Sequence, residues 1–268
     1  MMLCYTSRMS APGAAQPDHV PSRRERVRAA TIEEIKATAR RMLREHGSDL
    51  RFADIARDMG MTAPALYRYF ADRDELLSAL MVDGFAEMSA ELAAALDAAA
   101  PDDLAGRTRA AAVAYRQFAK ADPSRFSLLF GLPNPEFGRH SQHTSGPAAG
   151  ATMGALEELL RSVLDHGKLA PPLVRQVGPT LATEAATAQA AAGARIPADA
   201  YQALLHFLAA VHGFACLENF DHLNWISEAA RDDLFEAQIE LLTLAMGASP
   251  THLKAEAERK SRTADPPR

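Results

Sequence analysis

Apolar residues recur at three- and four-residue intervals along most of the chain, and no stretch keeps the two-residue alternation of a half-buried strand. From Ser22 to His46 there is no internal Gly or Pro. Ile32, Ile35, Ala39, Met42 and Leu43 return at helical spacing, and Gly47 stands where a helix would stop. Thr31-Ile32-Glu33-Glu34 has the form of a capping box, so the packed helix is expected to begin at Thr31, with Arg23 to Arg28 as a basic extension. A short unit follows, Phe52 to Met59, with Phe52, Ile55, Ala56 and Met59 on one face. Gly60 then makes a turn, and a second short helix runs from Thr62 to Phe70, with Thr62 as cap and Pro64 in its first turn. Asp72, with Glu75 reaching back, starts a long helix that Leu76, Leu80, Phe85, Met88, Leu92 and Leu96 carry to Ala100. Helices are expected again over 104–121, 151–166, 173–192, 199–220 and 228–246. Between them lie an apolar segment, Phe126 to Phe130, and a loop rich in Pro, Gly and His over 131–148.

The fold class is therefore all-α. An N-terminal three-helix domain containing a helix-turn-helix is joined by a long helix to a helical bundle suited to ligand binding and dimerisation. The expected boundaries are a disordered lead-in at 1–22, holding Pro12, Pro17 and Pro21, a first domain at 23–80, a second at 81–247 and a polar tail at 248–268.

Charge sharpens this division. The formal charge over 268 residues is −5, which argues against a protein that coats nucleic acid indiscriminately. Residues 21–75 carry twelve Lys/Arg against ten acids, whereas residues 76–268 carry sixteen against twenty-three. A polyanion would meet the front of the chain. Cys4 and Cys216 form neither a disulfide framework nor a zinc spacing, and no apolar run reaches the length of a membrane span. Met1 to Met9 lacks the apolar core of a secretion signal, and Met9 is an alternative start. A cytoplasmic protein with no membrane partner is expected.

Within the front domain, Leu66 and Phe70 can pack inward, leaving Thr62, Ala63, Ala65, Tyr67, Arg68 and Tyr69 for a partner. Small residues at the helix start permit close approach to a groove. Tyr and Arg donate to phosphates and bases, and Arg pairs with guanine through two hydrogen bonds. Arg73 adds a cation at the start of the next helix. The alternative readings are packing for Tyr67 and Tyr69, and an ordinary surface position for Arg68. Arg23 to Arg28 reads either as a minor-groove arm or as a solvated helix end.

The strings IKATARRMLREHG, ADIARDMGM and especially TAPALYRYFADRDELL, between Ile32 and Leu80, resemble the tetracycline-repressor (TetR) family of bacterial transcriptional regulators. The resemblance implies that Pro64, Ala65, Leu66 and Tyr67 lie on a recognition helix in the major groove. Thr62, Ala63, Ala65 and Arg68 would then lie near bases, Tyr67 and Tyr69 at phosphates or thymine methyls, and Arg73 at a phosphate. It also implies a homodimer on a palindromic operator. Arg51 stands where the family usually has Ser or Thr as cap and phosphate donor, though Arg can still touch phosphate. LAAVHGFACLENF resembles the WHG type of TetR C-terminal domain, with Val211 in place of the Trp. The resemblance places a dimer interface on the last two long helices.

A small, largely apolar effector would enter a pocket whose candidate residues are Tyr115, Phe118, Phe126, Phe130, Met153, His212 and Trp225, each of which also reads as core. His140 and His143 lack the partners of a metal site, Cys216 reads as packing, and His206 and His212 read as core or interface histidines. No metal, cofactor or catalytic triad is expected. The reading is a ligand-responsive homodimeric repressor acting on double-stranded DNA. Its rivals are a DNA-binding protein without effector and an all-α enzyme using the C-terminal cavity.

Overall fold

The computed structural model describes residues 22–47, 50–130, 146–192 and 196–248. The expected lead-in before Ser22, the histidines His140 and His143, Cys4 and the tail beyond 248 lie outside them. Among the described residues every regular element is a helix: α1 (Arg23–His46), α2 (Phe52–Asp58), α3 (Ala63–Leu66), α4 (Arg73–Asp97), α5 (Leu104–Ala121), α6 (Pro123–Phe130), α7 (Gly146–Asp165), α8 (Pro179–Ala192), α9 (Ala198–Asn219) and α10 (Glu228–Ala245).

Three starts differ from expectation. Helix α7 begins at Gly146, five residues before 151, so that 146–148 of the expected loop are helical while 131–145 lie outside the described residues. Helix α1 begins at Arg23, eight residues before Thr31, because Ser22 and Glu25 form a complete capping box: the Glu25 N–H donates to Ser22 Oγ and the Ser22 N–H donates to Glu25. The hydroxyl of Thr31 instead donates to the Val27 carbonyl one turn back. Helix α8 begins at Pro179 rather than 173: Pro179 disfavours helical backbone at Gly178 and is preorganised for a first turn, while the Leu173 N–H donates to Ala245 and Gln202 donates to the Val174 and Gln176 carbonyls, holding that segment outside a helix.

Helices α1, α2 and α3 close over the start of α4. Ile35, Ala39, Leu43, Leu50, Phe52, Ile55, Leu66, Phe70, Leu76 and Leu80 form their shared core. Gly60, at φ +64°, makes the turn between α2 and α3 that a side chain would strain. From there α4 runs on into the second domain, where Met88, Leu92 and Leu96 pack against α5 and α7. By length and composition α9 would also suit a membrane span. Here its buried face, including Tyr201, Leu204, Phe207, Val211 and Phe214, belongs to the bundle core.

Two buried guanidinium groups hold the bundle. Arg107 donates to the carbonyls of Leu96, Glu158 and Leu159, tying the end of α4 to α7. Arg116 makes two hydrogen bonds to Glu218 and one to Asp232, and lies over the rings of Phe214 and Phe235, joining α5, α9 and α10.

Candidate functional site

The second helix of the helix-turn-helix is shorter than the expected Thr62 to Phe70. Helix α3 covers Ala63–Leu66, and the chain then tightens: the N–H of Arg68 donates to Ala65 and that of Tyr69 to Leu66, each three residues back. Leu66 and Phe70 still anchor the segment inward as expected. Thr62, Pro64, Tyr67 and Arg68 are exposed, with Ala63 and Ala65 half-buried beside them. Thr62 occupies the cap position but makes no capping hydrogen bond, so its hydroxyl is available to a ligand.

The two tyrosines differ. Tyr67 is 55% exposed while one part of its ring rests against Phe52, at 5.1 Å between centroids, so packing aims a side chain that remains accessible. Tyr69 is half-buried, and the guanidinium of Arg28 lies 5.1 Å from its ring centre. Arg28 also donates to the Arg68 carbonyl. The basic extension is thus a continuation of α1 clamped to the end of the recognition segment. Periodicity gave no signal for that clamp, which joins residues 40 apart.

Arg73 is partly engaged inside the domain, its Nε donating to the Leu50 carbonyl at 3.0 Å. Arg51 is exposed at the start of α2 and makes no side-chain cap, in keeping with its lack of an acceptor oxygen. The guanidinium of Arg68 meets no carboxylate among the described residues.

The second group of candidates falls into a cluster and three outliers. Tyr115 (α5), Phe126 and Phe130 (α6) and His212 (α9) come together, joined by Phe85 (α4), which sequence reading had assigned only to a helix stripe. Ring centres are 4.8 Å apart for Phe130 and His212, 5.0 Å for Phe126 and Phe130, and 5.6 Å for Phe85 and Phe130. Phe118 does not join them. It is buried on another side of α5 beneath the guanidinium of Arg125. Trp225 is 76% exposed in the turn between α9 and α10, and Met153 is half-buried on α7 without a ring contact. Residue type alone does not distinguish the members of this cluster from Phe118, Trp225 and Met153; only the direction each helix faces separates them.

One polar chain crosses the cluster. The Tyr115 hydroxyl lies 2.8 Å from His212 Nδ1, and Cys216 Sγ lies 3.4 Å from His212 Nε2. Burial favours the uncharged form of every member: it lowers the pKa of His212 and raises those of Tyr115 and Cys216. Because native His212 resists protonation while unfolded histidine takes up a proton near pH 6.5, its contribution to stability is complete above that value and falls as the pH drops below it. The melting temperature should therefore fall less between pH 7.5 and 5.5 in His212→Gln than in the native protein, and equal slopes would remove His212 from the acid response.

Helix α6 connects this cluster with the front domain. Its cap residue Asp122 accepts from Arg44 of α1 at 3.2 Å and from the Arg125 N–H at 3.0 Å. Leu129 sits directly on Gly84 of α4, where a Cβ would meet its Cδ2 at 3.1 Å.

Comparison with known proteins identifies the family. Residues 35–80 match the tetR family of bacterial regulatory proteins, and residues 108–242 match the tetracyclin repressor-like C-terminal domain. The chain belongs to the TetR family. Family membership places it among regulatory proteins rather than enzymes. The HTH-type transcriptional regulator Rv1816 of Mycobacterium tuberculosis is 36% identical over 147 residues, 54% of this chain, and the match spans 61% of that protein's length. The crystal structure of the regulatory protein SCO4313 superposes with a TM-score of 0.61 at 29% identity, over 82% of this chain and 98% of that one. A Rhodococcus protein of unknown function shares the fold at a TM-score of 0.55 and 24% identity, over 87% of this chain and 100% of that one.

Proposed function

We propose that this TetR-family chain is a sequence-specific DNA-binding repressor that works as a homodimer on a palindromic operator in the cytoplasm and releases it when a small effector binds. The observation that carries the reading is the exposed set Thr62, Pro64, Tyr67 and Arg68, held from behind by buried Leu66 and Phe70. Arg68 is the base-reading cation of this set. Tyr67 and Tyr69 bond phosphate or touch thymine methyls, and Ala63 and Ala65 allow close approach to the groove. Arg51 and Arg73 serve phosphates. The first turns of α1, exposed from Ser22 to Ala30, extend the basic surface as a helix rather than as a loose arm.

The dimer reading is supported by two exposed stripes. On α9 these are His206, Ala209 and Leu217, with half-buried Gly213 between them and Phe220 just past the helix end, and on α10 Ala230, Leu234, Ala237 and Leu241, each at three- and four-residue spacing. Small Ala209 and Gly213 allow helices to cross closely, and a two-fold pair of such faces would present two reading heads to two symmetric half-sites. An effector acts by preferring one arrangement of the heads over the other.

Selection of random duplexes by the purified protein should enrich a palindrome. Against that duplex, Arg68→Ala is expected to lose about 1–3 kcal/mol and to relax preference at one position per half-site. A uniform loss across sequences with a shallower salt slope would reassign Arg68 to phosphate, and no enrichment at moderate salt would sink the reading. The close packing of the rings around Phe130 favours one rival, a repressor without effector, which predicts operator binding that no small molecule relieves.

A further inference from the structure

Phe130 differs from the rings around it. Phe85, Tyr115 and Phe126 are buried, whereas Phe130 is 37% exposed and is the last residue of α6. It lies over the half-buried His212 and touches each of the other three rings, so it covers the polar pair Tyr115–His212 from the outside. A planar group in its place would keep the edge and face contacts that the cluster already makes.

The polar pair also limits the chemistry of such a group. Among the described residues no lysine, arginine or carboxylate hydrogen-bonds Tyr115, His212 or Cys216. Arg116, next to Tyr115 in sequence, is committed to Glu218 and Asp232 between α9 and α10. A charged head would therefore meet no counter-ion among these described partners, at a cost that one neutral hydrogen bond does not offset. The pair can serve a neutral head in either sense. With the Tyr115 O–H donating to Nδ1 and Nε2–H donating to Sγ, the tyrosine oxygen still accepts. With the thiol donating to Nε2 and Nδ1–H donating to the tyrosine oxygen, the Tyr115 O–H is free to donate.

We infer that the effector site is the place now filled by the Phe130 ring, and that it takes an uncharged planar aromatic compound whose single hydroxyl or carbonyl bonds to the Tyr115–His212 pair. The inference rests on the effector-responsive reading above and gives that effector a chemical class. Moving Phe130 out shifts the end of α6, whose Leu129 packs on Gly84 of α4 and whose Asp122 holds Arg44 of α1. Occupancy is thereby carried into both helices that support the reading segment.

The test uses 2-naphthol, with naphthalene and 2-naphthoate as matched apolar and anionic controls, titrated into the full chain by calorimetry. The expected result is about tenfold tighter binding of 2-naphthol than of either control, the size of one net hydrogen bond. Tyr115→Phe should erase the advantage over naphthalene, and Phe130→Ala should tighten 2-naphthol several-fold by removing its competitor. Phe130→Leu serves as a milder variant, and thermal melts of each protein confirm folding. Preference for 2-naphthoate, an order unchanged in Tyr115→Phe, or no 2-naphthol binding to folded Phe130→Ala overturns the inference. Competition against the selected operator separates the two readings. Binding in the expected order without release of DNA retains the site and removes the effector-responsive reading. Release by a charged or aliphatic compound, with 2-naphthol inert, retains that reading and removes the aromatic class.

Discussion

Replacing Leu234 and Leu241 together with glutamate is expected to separate the proposed dimer into monomers and to weaken operator binding by more than about a hundredfold. Both leucines are large, exposed and two helical turns apart on α10, where an isolated chain gains nothing from them. In a two-fold interface the double change introduces four carboxylates into an apolar contact, and each uncompensated buried charge costs several kcal/mol. The monomer itself should keep its stability, because neither side chain belongs to the core. Light scattering coupled to size exclusion reads the mass, and titration of the palindrome reads the affinity. A monomeric variant that still binds the full palindrome as tightly as the native protein would dissociate DNA affinity from dimerisation. A variant that remains dimeric would place the interface elsewhere.

Arg107→Ala is expected to produce the largest loss of stability from a single change outside the apolar core. The residue is 4% exposed, and it spends its donors on three main-chain carbonyls, those of Leu96 at the end of α4 and of Glu158 and Leu159 in α7. The Leu96 carbonyl also accepts from the Ala99 N–H, so Arg107 adds a second donor at the end of the helix. Burial lowers the pKa of the guanidinium, a sign that the charge is held here at some expense. Truncation removes that expense but takes away the second hydrogen bond each of these carbonyls accepts, and it opens a cavity. The net cost is about 3 kcal/mol, and the melting temperature should fall by roughly 6–12 °C. Arg107→Lys should recover only part of this, since a single ammonium cannot match the span of the planar guanidinium. A melting temperature within a degree or two of the native value for Arg107→Ala would show that water replaces the guanidinium without penalty.

Much of the fold was legible along the chain because its determinants are local. Helical period, the Gly47 stop, the Asp72 cap and the Gly60 turn depend on neighbours within four residues, and each appears in the structure where the pattern put it. The misplaced starts are instructive for the same reason. Thr31-Ile32-Glu33-Glu34 and Ser22-Arg23-Arg24-Glu25 both have capping-box form, and only the latter caps a helix. A capping motif inside a longer helical run is overridden when the residues before it continue the helix at no cost.

The site divides along a similar line. The exposed face of the recognition segment could be read from Leu66 and Phe70, because two buried positions four apart leave the opposite face outward. The clamp of Arg28 on Arg68 and Tyr69 depends on a helix 40 residues away. The aromatic cluster depends on still longer contacts: Phe85, Tyr115, Phe126, Phe130 and His212 come from four helices and more than a hundred residues of chain. Phe118 and Trp225 have the same composition signal and lie elsewhere.

By itself the sequence determined an all-α chain, its helix-turn-helix, the face that segment presents and the family whose motif it carries, since all of these follow from residue types at short spacing. Tertiary structure alone decided which aromatic rings meet, that Phe130 covers the Tyr115–His212 pair, and that α6 touches both α1 and α4. The physical reason is that burial and hydrogen-bond satisfaction are settled between helices, and a periodic stripe states that a residue faces inward without stating what it faces.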